Sequence, residues 1–107
     1  MSRRLVLPLL VALALGACAT VPQQLAGTYP TVTPDAARSG SAQGTRVRWG
    51  GRIIETEPQQ NSTCFFVLAE PLDSQARPER EGESDGRFVA CREGFYDPEV
   101  YARGREV

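Results

Sequence analysis

Three cysteines are the residues of this sequence that could do chemistry on their own, namely Cys18, Cys64 and Cys91. A thiol can accept a lipid, pair with a second thiol or bind a metal, and its thiolate is the reactive form. The sequence contains no histidine, the commonest general base and metal ligand. The surroundings of each cysteine therefore decide between these three kinds of chemistry.

Cys18 follows a short apolar segment with the order of an export signal. Two arginines precede an apolar run over residues 5–17, which ends on the small residues Gly16 and Ala17. A helix needs about 20 apolar residues to cross a bilayer, so this run is too short to span one. Basic, apolar and small residues in this order are typical of a secretory signal peptide. We therefore expect residues 1–17 to be removed from the mature protein.

The residues Leu15-Gly16-Ala17-Cys18 resemble the lipobox of bacterial lipoproteins. In a lipobox the thiol receives a diacylglycerol and the chain is cut between Ala17 and Cys18, which becomes the first residue. The resemblance implies three acyl chains, palmitate among them, and two or more chains anchor a protein stably. By the same resemblance, Ala19 in place of an aspartate implies the outer membrane. The alternative is an ordinary signal peptide cleaved after Ala17 beside an unrelated cysteine.

Cys64 and Cys91 remain once Cys18 is assigned to lipid. An exported chain enters an oxidising compartment, where an even pair of thiols favours a disulfide. The two cysteines lie in predicted strands that can pair antiparallel, with Cys64 near Cys91 and Leu68 near Arg87. Two free buried thiols are one alternative, and a metal site is another, although zinc prefers four ligands.

The composition of the mature segment limits the kinds of function that it could have. Removal of residues 1–17 leaves 90 residues, enough for one small domain with a marginal core. Ten arginines then face thirteen acids, a net charge of −3, which argues against nucleic acid as a partner. The acids of the loop over residues 71–86, the acidic loop, lack the spacing of a calcium-binding loop. We therefore expect no metal, no cofactor and no catalytic residue.

The elements that position the cysteines are predicted to be β-strands. Residues 45–57 alternate apolar and charged side chains, which is typical of a strand with one buried face. The glycine pair at 50–51 indicates a bulge or a bend within it. Residues 63–70 are apolar on both faces, which predicts a central strand, and residues 87–91 predict a short strand after the acidic loop.

A tether and two short helical turns complete the prediction. Residues 18–44 are expected to form the lipidated N-terminus and a flexible tether, because three prolines prevent a continuous helix and favour an extended chain. Thr33 ahead of Pro34 predicts a capped helical turn within this segment. Asp97 as N-cap and Gly104 as a stop predict a helix of one or two turns.

Four blocks of sequence carry a family likeness in their order and spacing: VRWGGRI, EPLDSQARP, DGRFVAC and GFYDPEVYARGREV. Behind a lipobox, they resemble the Slp family of outer-membrane lipoproteins, known as starvation-inducible in enteric bacteria. The resemblance covers residues 22–107 and implies a small, barrel-like (OB-like) antiparallel sheet over 45–107, lipid-anchored and facing the periplasm. Enteric members lack the Cys64/Cys91 pair and are longer, so we expect an incomplete barrel and a chain truncated at its C-terminus.

Two classes of function are compatible with this resemblance. The first is a structural or interaction module of the envelope, linked to starvation or envelope stress. Its lipid would bind the membrane, and its acidic loop or an open sheet edge would bind an envelope protein or peptidoglycan. The second is an envelope enzyme, which would use carboxylates alone. No two acids in the sequence have a spacing that indicates a catalytic pair. The sequence favours the first class, a protein that is not an enzyme.

The apolar residues available for a core are more than one face of a three-stranded sheet can bury. They are Val47, Trp49, Ile53, Ile54, Phe65, Phe66, Val67, Leu68, Phe88, Val89, Phe95 and Tyr96. Some of them are therefore expected to stay exposed. Residues 1–107 are not expected to form a complete, independently stable domain, since a barrel needs further strands to cover its sheet edges.

Overall fold

The computed structural model of the protein describes residues 21–80 and 83–107. In these residues three strands, β1 (Gly50–Pro58), β2 (Ser62–Glu70) and β3 (Arg87–Glu93), form one antiparallel sheet in the order β1-β2-β3. The fold is mainly β, as predicted, and the open sheet fits an incomplete barrel. β2 lies between the other two strands, which accounts for its apolar residues on both faces.

β1 begins at Gly50 rather than at Thr45, so the predicted strand was too long at its start. The two side chains before it bind the N-terminal segment instead. Trp49 Nε1 donates a hydrogen bond to the carbonyl oxygen of Val32 at 2.8 Å, and Arg48 Nη1 donates to that of Leu25 at 2.6 Å. This part of the predicted strand is therefore held by long-range contacts outside the sheet.

The glycine pair at the start of β1 allows the backbones of β1, β2 and the C-terminal residues to approach closely. A Cβ atom on Gly51 would overlap the carbonyl oxygen of Leu68, and one on Gly50 would come within 2.6 Å of the carbonyl oxygen of Val107. Only glycine fits at such positions. The bulge that the pair was expected to make lies instead between Ile53 and Glu55, where the register with β2 shifts.

The last described residues pair with β1 on the side opposite β2. Val107 and Gly51 exchange two backbone hydrogen bonds of 3.0 Å, and the amide of Ile53 donates to the carbonyl oxygen of Arg105 at 3.0 Å. An antiparallel bridge joins Arg52 and Glu106 between these bonds. β1 therefore has ladder partners on both sides.

The chain after Asp97 forms a single turn, so the predicted helix there was wrong. The amides of Val100 and Tyr101 donate to the carbonyl oxygen of Asp97, at 3.0 and 2.8 Å, and Asp97 Oδ1 accepts from the amide of Glu99. The turn does not continue because the Tyr101 carbonyl oxygen accepts a 2.7 Å hydrogen bond from Thr56 Oγ1 on β1. A contact with the sheet thus replaces a further helical turn.

The capped turn predicted at Thr33 is confirmed as the short helix α1 (Pro34–Ala37), where Thr33 Oγ1 accepts from the amide of Ala36 at 3.2 Å. Pro34 is buried, and the amide of Asp35 donates to the carbonyl oxygen of Asp85 at 3.2 Å. Part of the segment expected to be a tether therefore lies against the domain. The boundary at residue 45 stays a prediction.

The core is small and is centred on β1 and β2. The side chains of Ile53, Thr63 and Val67 are the largest fully buried ones among the described residues, and Ile53 lies directly opposite Val67 in the ladder. Phe95 and Val89 are 72% and 55% exposed. The expectation that part of the apolar set stays exposed is therefore confirmed.

Candidate functional site

The lipid-attachment residue Cys18 and the preceding Ala17, between which the signal peptide would be cleaved, lie outside the described residues. Lipidation therefore stays a prediction. Within the described part of the chain, no helix is long and apolar enough to cross a membrane.

Cys64 and Cys91 form a disulfide that joins β2 to β3. The two residues are directly opposed, and Leu68 lies opposite Arg87, so the predicted register is the one observed. Their Cα atoms are 4.1 Å apart, the close spacing of a non-hydrogen-bonded pair in an antiparallel ladder. Cys64 is buried and Cys91 is exposed. The bridge therefore fixes the exposed strand β3 to the central strand.

One face of the sheet, the aromatic face, carries two groups of packed rings. Phe65, Tyr96 and Tyr101 meet edge to face with ring centroids 5.3 to 5.7 Å apart. Trp49 packs against Phe88 with the ring centroids 5.4 Å apart. Such tilted contacts suit the charge distribution of aromatic rings and stabilise beyond the area that they bury. These contacts attach the residues before β1 and after β3 to the sheet.

A groove of about 260 Å³ lies between the two groups of rings, which supply most of its lining. The guanidinium of Arg92 lies 5.7 Å from the ring centroid of Tyr96, and that of Arg105 lies 4.5 Å from the ring centroid of Tyr101. Both distances suit cation–π attraction. The remaining lining residues are Val67, Ala90, Arg92 and Val107. The aromatic face thus combines apolar rings with cationic side chains.

Four charged side chains connect the C-terminal residues to β1, β2 and the acidic loop. Arg52 Nε lies 3.1 Å from Glu70 Oε1, in an ion pair whose alignment makes no hydrogen bond. Arg52 Nη2 lies 3.4 Å from Glu106 Oε1, and Arg77 Nη2 lies 3.2 Å from Glu106 Oε2. Glu70 is only 8% exposed, and a buried carboxylate without a partner would be strongly destabilising. The network is therefore structural.

The acidic loop is held at both ends by hydrogen bonds. Asp73 Oδ1 accepts from the amides of Arg77 and Gln75, at 3.0 and 2.8 Å. These backbone hydrogen bonds, that of Arg77 first, lower the pKa of Asp73 from its ordinary value of 3.8. Near the other end Ser84 Oγ donates to the carbonyl oxygen of Ala69 at 2.9 Å. One of the loop's acids therefore stabilises its own turn.

The described residues contain no group of three or more His, Cys, Asp and Glu side chains that could hold a metal ion. The two carboxylates that the structure brings to one side chain, those of Glu70 and Glu106, both bind Arg52. None of these three residues was predicted to belong to a site. Their opposite charges were visible, but the pairing of Glu70 with Arg52 depends on a strand register that a bulge shifts.

Comparison with known sequences shows which proteins resemble this chain. The family model described as Outer membrane lipoprotein Slp family matches residues 15–107. The chain is 40% identical over 100 residues to Uncharacterized lipoprotein YeaY of Escherichia coli (strain K12), which covers 90% of this chain and 51% of that protein. It is 33% identical over 95 residues to Outer membrane protein Slp of the same organism, which covers 81% of this chain and 49% of that protein.

No solved structure shows significant similarity to this chain. The chain spans about half the length of the two curated relatives described above. The family match covers most of the sequence, including all three strands and the lipobox residues. The chain belongs to the Slp family of outer membrane lipoproteins.

Proposed function

We propose that the protein is anchored in the outer membrane by lipid on Cys18 and faces the periplasm. There it acts as a structural or interaction module during starvation or envelope stress. The observation that carries the proposal is the lipobox ending at Cys18, directly ahead of a domain of an outer-membrane lipoprotein family. Three acyl chains on one residue would hold such a domain stably at the membrane.

A binding role, rather than catalysis, is supported by how the structure uses its ionisable side chains. Glu70 and Glu106 are paired with Arg52 and Arg77, and Asp73 holds the turn of the acidic loop. Large apolar side chains, by contrast, are left in solvent, with Phe95 72% exposed. Aromatic side chains are enriched at protein interfaces, and the exposed ring of Phe95 is available to a partner.

Cys18→Ser should abolish lipidation. The hydroxyl does not replace the thiol as the acceptor of diacylglycerol, so the variant should lose palmitate labelling and keep residues 1–17. Mass spectrometry of the wild-type membrane fraction should find a triacylated N-terminal peptide that begins at Cys18. The double variant Cys64→Ser/Cys91→Ser is the matched control and should label normally. A soluble wild-type protein with a free thiol at Cys18 would contradict the proposal.

A photoreactive phenylalanine analogue at Phe95 should capture the partner in intact cells. The side chain is 72% exposed, so an analogue of similar shape leaves the fold unchanged. The same analogue at Ser41, exposed in the turn after α1 and outside the acidic loop, is the control. Mass spectrometry should identify an envelope protein or a peptidoglycan fragment joined at Phe95 and absent at Ser41. Equal products, or none, at the two positions would count against an interaction role for this surface.

A further inference from the structure

β3 presents a strand edge to which no described backbone segment hydrogen-bonds. The strand pairs with β2 on one side, and no other backbone hydrogen bond among the described residues reaches Arg87–Glu93. α1 contacts the strand without adding a backbone hydrogen bond to it. An exposed edge of this kind is a template for pairing with another strand.

The disulfide shows which backbone groups of β3 point outward. Because Cys91 and Cys64 form a non-hydrogen-bonded pair, the amide and carbonyl of Cys91 face away from β2. The same holds for every second residue of the strand, so Arg87, Val89 and Glu93 also direct their backbone groups outward. A partner strand must place its own free groups opposite these four residues.

We propose that this edge binds a second copy of the chain, with the two β3 strands antiparallel about a two-fold axis at Ala90. This register places Arg87 opposite Glu93 and Val89 opposite Cys91, so outward backbone groups meet outward backbone groups along the strand. A contact of this symmetry closes after two copies, and the edge does not propagate into a fibre.

The charges of β3 favour this register over any other antiparallel register. Arg87 and Glu93 lie at opposite ends of the strand, so the two-fold axis sets opposite charges together at both ends of the contact. Among the described residues neither side chain forms an ion pair within its own chain. On the aromatic face, Phe88 of one copy lies opposite Arg92 of the other, which suits a cation–π contact.

The paired edge is separate from the exposed side chain of Phe95, so the inference does not rest on the proposed function. One pair of strands buries less than the roughly 1,200 Å² at the lower limit of standard interfaces, so association in dilute solution is expected to be weak. The test therefore uses the full chain in bacterial membranes rather than an isolated domain.

The test introduces one amine, because the chain has arginines but no lysine. In Arg87→Lys, a zero-length carbodiimide can join the new amine only to a carboxylate in contact with it. Within one chain, positions 87 and 93 are separated by the length of β3, about 20 Å of extended strand, so they cannot be joined. A crosslinked peptide that contains both positions therefore reports two copies.

Arg87→Lys should give a crosslinked dimer with positions 87 and 93 joined, and Arg46→Lys, another exposed arginine, should not. The joined peptide should disappear in Arg87→Lys/Glu93→Gln. It should also disappear in Arg87→Lys/Val89→Pro, which removes an outward amide without touching the ladder to β2. Absence of the joined peptide, or its survival in the proline variant, would overturn the pairing, as would crosslinking of position 87 to a different protein.

Discussion

Loss of the Cys64–Cys91 bridge should lower the free energy of unfolding by about 3 to 4 kcal/mol on the chain-entropy estimate. The bridge joins residues 27 positions apart, and the unfolded chain gains the freedom of that loop when the bond is absent. Cys64→Ala, Cys91→Ala and the double variant should show the same loss in urea unfolding, because each lacks the same bond. A small domain has a total stability of about 5 to 15 kcal/mol, so the change should be large.

The reduced wild-type protein is the control for these variants. It should lose the same free energy of unfolding, about 3 to 4 kcal/mol, since reduction removes the bond and leaves both sulfur atoms in place. A thiol count on periplasmic material, denatured without reductant, gives an independent reading. Two reactive thiols per chain at Cys64 and Cys91 would refute the bridge.

Gly51→Ala should destabilise the sheet by about 3 kcal/mol, the upper end of what overpacking costs. The added methyl group would overlap the carbonyl oxygen of Leu68, a backbone atom that cannot rotate away. Either β2 or the C-terminal residues must then move away from β1, and hydrogen exchange at the amide of Val107 should accelerate. Thermal unfolding of the variant measures the overall loss.

Gly40→Ala is the matched control for this substitution. Nothing lies within 4 Å of an added Cβ there, and only the positive φ of 85° opposes the change. A left-handed backbone costs an alanine about 1 to 2 kcal/mol. A loss in Gly51→Ala no larger than that in Gly40→Ala would show that β1 and β2 accommodate the methyl group.

The pairing of β2 with β3 could be predicted because two local features agree on it. Apolar runs around Cys64 and Cys91 indicate strands, and a disulfide between opposed residues fixes their register. The capped turn at Thr33 was also predictable, since the side chain that caps it lies three residues from the amide it binds. Short-range patterns contain this information directly.

The features that could not be predicted depend on contacts between distant residues. Trp49 continues the alternation of a strand, yet its indole binds Val32 outside the sheet. The residues after Asp97 have the caps of a helix, but Thr56 takes the carbonyl oxygen of Tyr101. In each case a tertiary contact outweighs a local preference, because secondary-structure propensities are weak. The ion pair between Arg52 and Glu70 requires the shifted register of β1 in the same way.

The hydrogen bond from Arg48 to Leu25 sets a limit on how far the domain can stand from the bilayer. On the proposal that Cys18 bears the lipid, seven residues, 19–25, separate it from the contact at Leu25. Seven extended residues would reach about 25 Å, and the 3-10 turn over Gln23–Leu25 shortens that reach. A tether that ran to residue 44 would reach several times farther. If the anchor is the one proposed, the domain would sample only a thin layer of periplasm beside the outer membrane, and a partner would have to enter that layer to be bound.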